Sequence, residues 1–329
     1  MGKDSKALEK VMRVISLKWN DGCIRGLDCM EKIEDDTAVT VGNFDGVHLG
    51  HRSLLKSLVD NASKKGFKSL VLSFYPHPLK VLSPKQCPCE LTTLEEKTEL
   101  LSSLGLDYAV FLKFDLGFSL MRADDFVREI LFRRLKAKFL LVGYDWRFGY
   151  KREGEIELAR ELGEELGFEV ALSEPFKVKD HIASSTLIRR LLHSGRLGEA
   201  EEYLGRRYWV KRKVVRGDGR GSSIGIPTAN LDGTENLCLK EGVYTVLVDN
   251  SLLGVANYGY RPTFDGRKKV LEVHIIGFKG DLKGKRIKVE FLRFLREERR
   301  FSSLTELKRQ IEEDIRLTKS SLNKREPTH

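Results

Sequence analysis

The stretch Ala38-Val-Thr-Val-Gly-Asn-Phe-Asp-Gly-Val-His-Leu-Gly-His51 decides the fold of the first half of the chain. Its first four residues form the nearly apolar run of a strand that is covered on both faces, and a helix opens at its end. Between the two, Gly42, Gly46 and Gly50 permit a tight turn and a close approach of the backbone to a ligand. The order of strand, turn and helix is typical of a parallel α/β sheet.

The rest of the first half alternates similar runs with helical patterns. Four further runs predict strands at Ser69–Phe74, Tyr108–Lys113, Phe139–Val142 and Glu169–Leu172. Between them, Thr93 and Glu96 make a capping box, and apolar residues recur at helical spacing around 126–131 and 156–162. The alternation predicts an α/β doubly wound, Rossmann-like sheet with right-handed crossovers, whose ligands bind beyond the carboxyl ends of the strands.

A different pattern follows residue 184. The segment from Ser185 to Leu204 predicts a helical bridge with glycine stop signals. Short strands and Gly-rich turns then predict a small all-β barrel or sandwich, with strands at Trp209–Val215, Tyr244–Val248, Val270–Ile275 and Ile287–Phe294. A final amphipathic helix is predicted near Leu304–Ile315, followed by a frayed polar tail. We therefore predict a Rossmann-like domain over 1–184, the bridge over 185–205, and the barrel domain with its C-terminal helix over 206–329.

The composition excludes several classes of protein. A chain of 329 residues with a hydrophobic fraction of 41% can bury sizeable cores, which excludes disordered and collagen-like proteins. The 58 Lys and Arg against 48 Asp and Glu leave a net charge of +10, which fits nucleic acid, an anionic surface or phosphorylated small molecules. No apolar stretch is long enough to span a membrane and no secretory signal is seen, so we expect a cytoplasmic protein without a membrane partner.

The cysteines predict neither a disulfide framework nor a metal site. They are odd in number and scattered, at Cys23, Cys29, Cys87, Cys89 and Cys238. Cys87-Pro-Cys89 lacks the C-x-x-C spacing of redox and zinc sites, and no paired partner follows it. Disulfide frameworks belong to small proteins of oxidising compartments, and the sequence indicates neither condition.

His48 and His51 form the first candidate site. Their i, i+3 spacing places both imidazoles on one side of the first helical turn, where free N–H groups and the helix dipole already favour an anion. Two imidazoles there suit triphosphate binding and the stabilisation of charge that develops at phosphorus. Capping and packing would be the default interpretation of a single histidine, but the pair after a Gly-rich turn favours phosphate binding.

A second cluster of phosphate-binding residue types lies at the start of the bridge. Ser184, Ser185 and Thr186 carry hydroxyl groups, and Arg189 offers a planar bidentate donor. The same hydroxyl residues are also a common helix N-cap, so on their own they are a weak signal.

A second Gly-rich segment runs from Gly217 to Asn230. Backbone N–H groups at Gly217, Gly219 and Gly225 can cradle phosphate oxygens. Thr228 and Asn230 carry hard oxygen ligands of the kind that Mg²⁺ accepts beside phosphate. The segment lacks the P-loop pattern, and from its residues alone a plain hairpin turn explains it equally well.

Four motifs of the first half occur in a recognisable order. They are the run that ends at His51, Phe74-Tyr-Pro-His-Pro78, Val142-Gly-Tyr-Asp-Trp-Arg-Phe-Gly149 and Ser184-Ser-Thr-Leu-Ile-Arg189. The first resembles the nucleotidylyltransferase signature, and together they resemble the FMN adenylyltransferase half of the bacterial bifunctional riboflavin kinase/FAD synthetase family.

This resemblance implies roles for particular residues. The implied catalytic residues are His48, His51 and Arg189. The implied ATP-binding residues are Gly42, Asn43, Phe44, Asp45, His48, His51, Ser184, Ser185, Thr186 and Arg189. The implied flavin-binding residues are Pro76, His77, Pro78, Asp145 and Phe148. Trp146 and Phe148 offer aromatic faces to an isoalloxazine, although core packing would be the default for either ring alone.

The second half continues the resemblance with the motifs Pro227-Thr-Ala-Asn230, Leu271-Glu-Val-His274 and Phe291-Leu-Arg-Phe-Leu-Arg296. They resemble riboflavin kinases, which implies that the segment from Gly217 to Asn230 binds ATP and that Thr228 and Asn230 hold Mg²⁺. Glu272 is then the catalytic base, and Arg296 helps to seat the flavin. A carboxylate suits this role because a ribityl hydroxyl must lose its proton as it attacks a phosphoryl group.

Four positions depart from the common family pattern: Tyr75, Arg207, Ser222 and Lys283. None of them carries an implied chemical role, so both activities are expected. We predict phosphorylation of riboflavin to FMN, followed by adenylylation of FMN to FAD and pyrophosphate, with ATP and Mg²⁺, in a monomer or weak homo-oligomer that binds no nucleic acid. The alternatives are a chain with only one of the two activities, or a basic RNA-binding protein related to tRNA synthetases.

Overall fold

A parallel sheet organises the first half of the chain. The structure is a computed structural model that describes residues 11–17, 33–217, 225–263 and 266–322. The sheet has six strands in the order β1-β4-β3-β2-β5-β6, and every neighbouring pair is parallel. In chain order the strands are Arg13–Leu17, Thr37–Val41, Lys68–Tyr75, Tyr108–Lys113, Ala137–Gly143 and Glu169–Ser173. The predicted doubly wound sheet is confirmed, and β1 adds an edge strand that we did not predict.

Helices pack on both faces of this sheet. They are α1 (Leu49–Lys65), α2 (Pro78–Leu82), α3 (Leu94–Ser102), α4 (Ala123–Asp125, continued by a π-helix over Phe126–Arg134) and α5 (Ile156–Leu166). Leu70 and Leu72 of β3 belong to the apolar cluster with α4 and α5, whereas Val71 belongs to the cluster with α1 and α3. This alternation is the period of two that a strand imposes, and it explains why the strands are apolar throughout.

The capping box that begins α3 forms as predicted. The Thr93 hydroxyl accepts the Glu96 N–H at 3.3 Å, and the Glu96 carboxylate accepts the Thr93 N–H at 2.7 Å. This reciprocal pair satisfies two donors that the helix start would otherwise leave unpaired, and it fixes the residues just before α3.

A short hairpin, β7 (Lys177–Val178) and β8 (His181–Ile182), precedes two helices, α6 (Ser185–His193) and α7 (Leu197–Leu204). A closed barrel of antiparallel strands follows, in the order β10-β13-β12-β11-β14-β9. Strands β9 to β14 are Trp209–Val215, Ala229–Leu231, Gly242–Val248, Leu252–Thr263, Gly266–Ile275 and Arg286–Arg296. The last helix, α8, spans Leu304–Leu322, so our prediction of a frayed tail after 315 is wrong as far as 322, and the rest of the tail lies outside the described residues.

Alternate side chains of the barrel strands fill its interior. Tyr244 and Tyr258 are completely buried there, and Tyr244 donates a hydrogen bond to the carbonyl of Lys240. Burial raises the pKa of both tyrosines because the phenolate would lose its hydration. The Tyr258 hydroxyl accepts the Leu237 N–H at 3.1 Å and so holds the segment that leads into β11.

Contacts divide the chain into two units. The first contains Met1–Pro88 and Thr92–Ala183, and the second contains Cys89–Leu91 and Ser184–His329. The domain limits at 184 and 205 stay predictions. Among the described residues, no helix is both long and apolar enough to span a membrane.

One prediction about the cysteines is wrong, because Cys89 and Cys238 form a disulfide within the second unit. The two residues are 149 positions apart, and they meet because residues 89–91 pack with the barrel-bearing unit and not with their sequence neighbours. Cys87 is not part of this disulfide, and Cys23 and Cys29 lie outside the described residues.

Candidate functional site

The turn between β2 and α1 has a strained backbone. Phe44 and Val47 have φ angles of 47° and 39°, and Gly46 has a φ of 82°. A left-handed conformation costs a non-glycine residue about 1–3 kcal/mol and persists only where the surroundings hold it. Such strain is concentrated at ligand-binding and active sites, which agrees with the predicted role of this turn.

His48 and His51 lie together at the start of α1. His48 is the N-cap, and its Nδ1 accepts the His51 N–H at 3.3 Å. The two imidazoles stack with their centroids 3.6 Å apart, and Phe44 packs edge-on against His51. Because Nδ1 of His48 is an acceptor, the neutral ring carries its proton on Nε2, which is then a hydrogen-bond donor. His48 therefore caps the helix through Nδ1, as expected by default for a single histidine, and its Nε2–H is suited to bind an anion.

Gly50 makes room for this arrangement. A Cβ there would lie 3.2 Å from the His48 ring and 3.1 Å from the Ala183 carbonyl oxygen. Both contacts are tight, so a side chain at position 50 would require the imidazole or the carbonyl to shift by a few tenths of an ångström.

The other side of the turn is held by polar side chains. Asp45 is 3% exposed, and its Oδ1 accepts both the N–H and the hydroxyl of Thr92 at 3.1 and 3.2 Å. The Asn43 carbonyl accepts Nζ of the buried Lys97 at 2.6 Å. The Asn43 side-chain Oδ1 is buried and finds no hydrogen-bond donor in the described part of the chain. The sequence did not indicate Thr92 and Lys97, because they are far from the turn in the chain and contact it only in the folded structure.

The predicted phosphate residues of the bridge belong to the second unit. Ser184 is the N-cap of α6 and accepts the Leu187 N–H at 3.3 Å. It therefore has the capping role that is common for such hydroxyl residues. Ser185 is half-buried and Thr186 is exposed. Arg189 donates its Nε to the Cys89 carbonyl at 2.8 Å. That these residues act on the same ATP as the histidines stays a prediction.

Pro76, His77 and Pro78 form the start of α2. Pro76 follows a cis peptide bond, His77 accepts the Leu79 N–H at 3.2 Å through Nδ1, and Pro78 is the first helical residue. All three are half-buried at the carboxyl end of β3. This is the edge of a parallel sheet at which ligands are expected.

The aromatic residues after β5 have different environments. Phe148 is 6% exposed and packs in the core against Phe126, whereas Trp146 is half-buried and stacks on Phe148 with a centroid distance of 4.2 Å. Asp145 is exposed. Core packing therefore accounts for Phe148, and its predicted flavin contact stays a prediction, as does that of Asp145.

On the barrel, three polar residues lie in register across neighbouring strands. Asn230 of β10 is opposite Glu272 of β13, and Glu272 is opposite Asn257 of β12. Directly opposed side chains on antiparallel strands have Cβ atoms about 5 Å apart. Leu271 and Val273 are completely buried on the inner face, so the polar row lies on the outer face. The two predicted kinase residues are thus neighbours.

The Asn230 side chain is suited to a cation. Its Oδ1 is buried and finds no hydrogen-bond donor among the described residues. Gly217 packs against the same amide, and a Cβ at that position would lie 2.0 Å from Asn230 Nδ2. A buried amide oxygen without a donor is a hard ligand of the type that Mg²⁺ binds, so the residues present fit that ion.

A cavity of about 370 Å³ lies beside Thr228. Its wall includes Val215, Pro227 and Phe278, and the cations Arg216, Lys279 and Lys283. Apolar walls with a few cations suit a nucleotide. Gly225 has a φ of 79°, which favours glycine, whereas Gly219 and Ser222 lie outside the described residues. The departure at Lys283 adds a cation to this cavity.

Arg296 has a structural partner. Its Nε and Nη2 donate to the carboxylate of Asp314 at 3.0 and 2.7 Å, and Asp314 is 1% exposed. This bidentate pair ties β14 to α8. The predicted contact of Arg296 with the flavin stays a prediction.

Comparisons with known proteins match each half of the chain to a family model. Residues 30–187 match the family model for FAD synthetase, and residues 204–322 match the one for riboflavin kinase. A bifunctional riboflavin kinase/FMN adenylyltransferase from Escherichia coli is 39% identical, over 88% of this chain and 95% of its own. One from Buchnera aphidicola is 36% identical, over 91% and 98%.

A solved structure is also similar over nearly the whole chain. It is described as a macrolide-efflux protein from Streptococcus pneumoniae, and it has a TM-score of 0.78 and 28% identity over 93% of this chain and 99% of its own. The resemblance inferred from the motifs is confirmed by the two family models and the curated relatives: the chain belongs to the family of bifunctional riboflavin kinases/FMN adenylyltransferases.

Proposed function

We propose that the second unit phosphorylates riboflavin to FMN and that the first unit adenylylates FMN to FAD, each with ATP. Family membership supports both activities. The single observation that supports the kinase assignment most is the pair Asn230 and Glu272, in register on the outer face of the barrel. For the adenylyltransferase it is the stacked pair His48 and His51 at the start of α1.

In the kinase, Glu272 accepts the proton of the ribityl hydroxyl while that oxygen attacks the γ-phosphorus and ADP leaves. The cavity beside Thr228 takes the nucleotide, with Arg216, Lys279 and Lys283 supplying positive charge. Thr228 and Asn230 would hold Mg²⁺, which neutralises charge on the phosphates when it is bound. The buried Oδ1 of Asn230 supports this assignment.

In the adenylyltransferase, a phosphate oxygen of FMN attacks the α-phosphorus of ATP, and the bond to pyrophosphate breaks. Nε2–H of His48, with His51 beside it, donates to the oxygens on which charge develops. Arg189 and the Ser184–Thr186 hydroxyls are proposed as further phosphate ligands, and Pro76, His77, Pro78, Asp145 and Phe148 as flavin contacts of this unit. Arg296 is proposed to help seat the flavin of the kinase instead. Each of these roles is a proposal that mutagenesis can test.

We also propose a cytoplasmic location, because ATP is the co-substrate of both steps. The disulfide is compatible with that compartment, since Cys89 and Cys238 are only 5% and 0% exposed and so are shielded from soluble thiols. A monomer or weak homo-oligomer without a nucleic-acid partner remains our expectation, and the positive net charge is then used to bind anionic substrates.

The test is chromatography of the products after incubation with riboflavin, ATP and Mg²⁺. We expect FMN to appear first and FAD to follow, and FMN supplied alone with ATP should give FAD. A chain that forms neither product refutes the proposed function. Formation of only one product would support the alternative in which one half is inactive.

A further inference from the structure

We infer that Thr92 is a positioning residue for adenylyl transfer, and this inference rests on the proposed function of the first unit. Thr92 lies 46 positions from the turn between β2 and α1 but makes three buried hydrogen bonds to it. Its N–H and hydroxyl donate to Asp45 Oδ1, and its hydroxyl oxygen accepts the Gly46 N–H at 3.0 Å. One side chain thereby fixes two consecutive residues of the turn.

The turn needs such support because of its backbone. The bonds from Thr92 hold Asp45 and Gly46, which lie between the two strained residues Phe44 and Val47. On the other side of Phe44, Nζ of Lys97 holds the carbonyl of Asn43. Without these anchors the chain could relax to an ordinary backbone conformation, because strain of this kind persists only where neighbours enforce it.

The position of Thr92 is itself well defined. Thr93 follows it directly, and the reciprocal bonds of the capping box tie Thr93 to Glu96, which is 1% exposed. Thr92 is 5% exposed. A rigid helix start thus supports the turn that ends at His48, one residue before α1. A small displacement of a catalytic group lowers the reaction rate steeply, so we expect the support of this turn to affect the rate of adenylyl transfer.

The residues involved allow a specific test. Thr92→Val has nearly the same shape but lacks the hydroxyl, so the two hydrogen bonds of that hydroxyl, with the Gly46 N–H and with Asp45 Oδ1, are lost. Thr92→Ser keeps the hydroxyl. Thr98→Val is the matched control, because Thr98 lies in α3, the helix that begins just after Thr92, and its hydroxyl donates to the Leu94 carbonyl at 2.8 Å.

The rates of FMN-to-FAD and of riboflavin-to-FMN conversion are measured on the same preparation of the full chain. We expect Thr92→Val to lower kcat for FAD formation by about ten- to hundredfold, with a smaller change in KM for ATP. Thr92→Ser should recover most of the loss, Thr98→Val should behave as the parent, and riboflavin phosphorylation should be unchanged throughout.

A double-mutant cycle with Asp45→Asn tests whether Thr92 acts on FAD formation through its hydrogen bonds to Asp45. If Thr92 acts through Asp45, Thr92→Val adds little to the loss caused by Asp45→Asn. The inference is refuted if Thr92→Val makes FAD as fast as Thr98→Val, or if Thr92→Ser is as slow as Thr92→Val. Absence of FAD from the parent chain is a different result and refutes the proposed function itself.

Discussion

The two candidate sites of this chain are built in different ways. The turn from Gly42 to His51 is one continuous segment with a strained backbone, and partners from elsewhere in its unit hold it. The barrel site is a row of side chains from neighbouring strands, and strand register alone places Asn230 beside Glu272. A local motif therefore depends on distant support, whereas a dispersed site depends on the regular geometry of a sheet.

The largest expected effect comes from replacing Glu272, the proposed catalytic base of the kinase. Glu272→Gln keeps the shape of the side chain but cannot accept a proton, so FMN formation should fall by about 10²- to 10⁴-fold. Conversion of FMN to FAD should continue, as measured by product chromatography. Glu290→Gln is the control, because Glu290 is also a barrel carboxylate, on β14, and it pairs with Lys288 at 2.8 Å. Loss of both conversions would show that the two sites are not independent.

The next effect concerns the turn, where His48 has both a capping and a chemical role. His48→Asn supplies another N-cap acceptor but no imidazole, so FAD formation should fall by about 10²- to 10³-fold while FMN accumulates. His48→Ala removes both roles and should also lower the thermal midpoint. Unchanged FAD output in His48→Asn would mean that the histidine only caps α1.

A moderate effect on stability is expected from the disulfide of the second unit. A crosslink between residues 149 positions apart restricts the unfolded chain. The loss of loop-closure entropy should add about 5 kcal/mol or less to the free energy of unfolding. Cys238→Ser, or reduction of the parent, should shift the denaturation midpoint downward, whereas Cys87→Ser should not. Equal midpoints with and without reductant would show that the crosslink contributes nothing.

The smallest expected effect is a dependence of stability on pH that comes from a buried tyrosine of the barrel. Burial raises the pKa of Tyr258 above 10.0, so its contribution to stability is complete below that pH and is lost as the pH rises through the raised value. The free energy of unfolding, measured in urea from about pH 9 to pH 11, should therefore decline. Tyr258→Phe should make this decline smaller while Tyr244 still contributes to it, and an identical slope in that variant would contradict the assignment.

Local patterns predicted much of this architecture. The strands of the parallel sheet from β2 to β6 were found because burial on both faces makes them apolar. The edge strand β1 was not found, because Arg13–Leu17 is short and follows a charged segment. In the barrel, β10 has only three residues, and β12 contains two glycines and a proline that suggest turns.

The site was predictable where one segment contains the whole motif. His48 and His51 could be read from their spacing, and Glu272 from the family motif around it. Thr92, Lys97 and the Cys89–Cys238 bond depend on contacts between residues 46 to 149 positions apart, which no local pattern records. The sequence around a hydroxyl or a thiol does not indicate which distant residue will contact it. These contacts could therefore be identified only from the three-dimensional structure.

The disulfide also changes the topology of the molecule as a covalent object. The backbone from Cys89 to Cys238, closed by the sulfur–sulfur bond, is a ring that carries two linear tails. A single proteolytic cut between Leu204 and Trp209 opens the ring but releases no fragment, since both products stay joined until a reductant is added. A recombinant exchange of either half would keep this linkage only if the incoming sequence supplied its own thiol opposite the remaining cysteine.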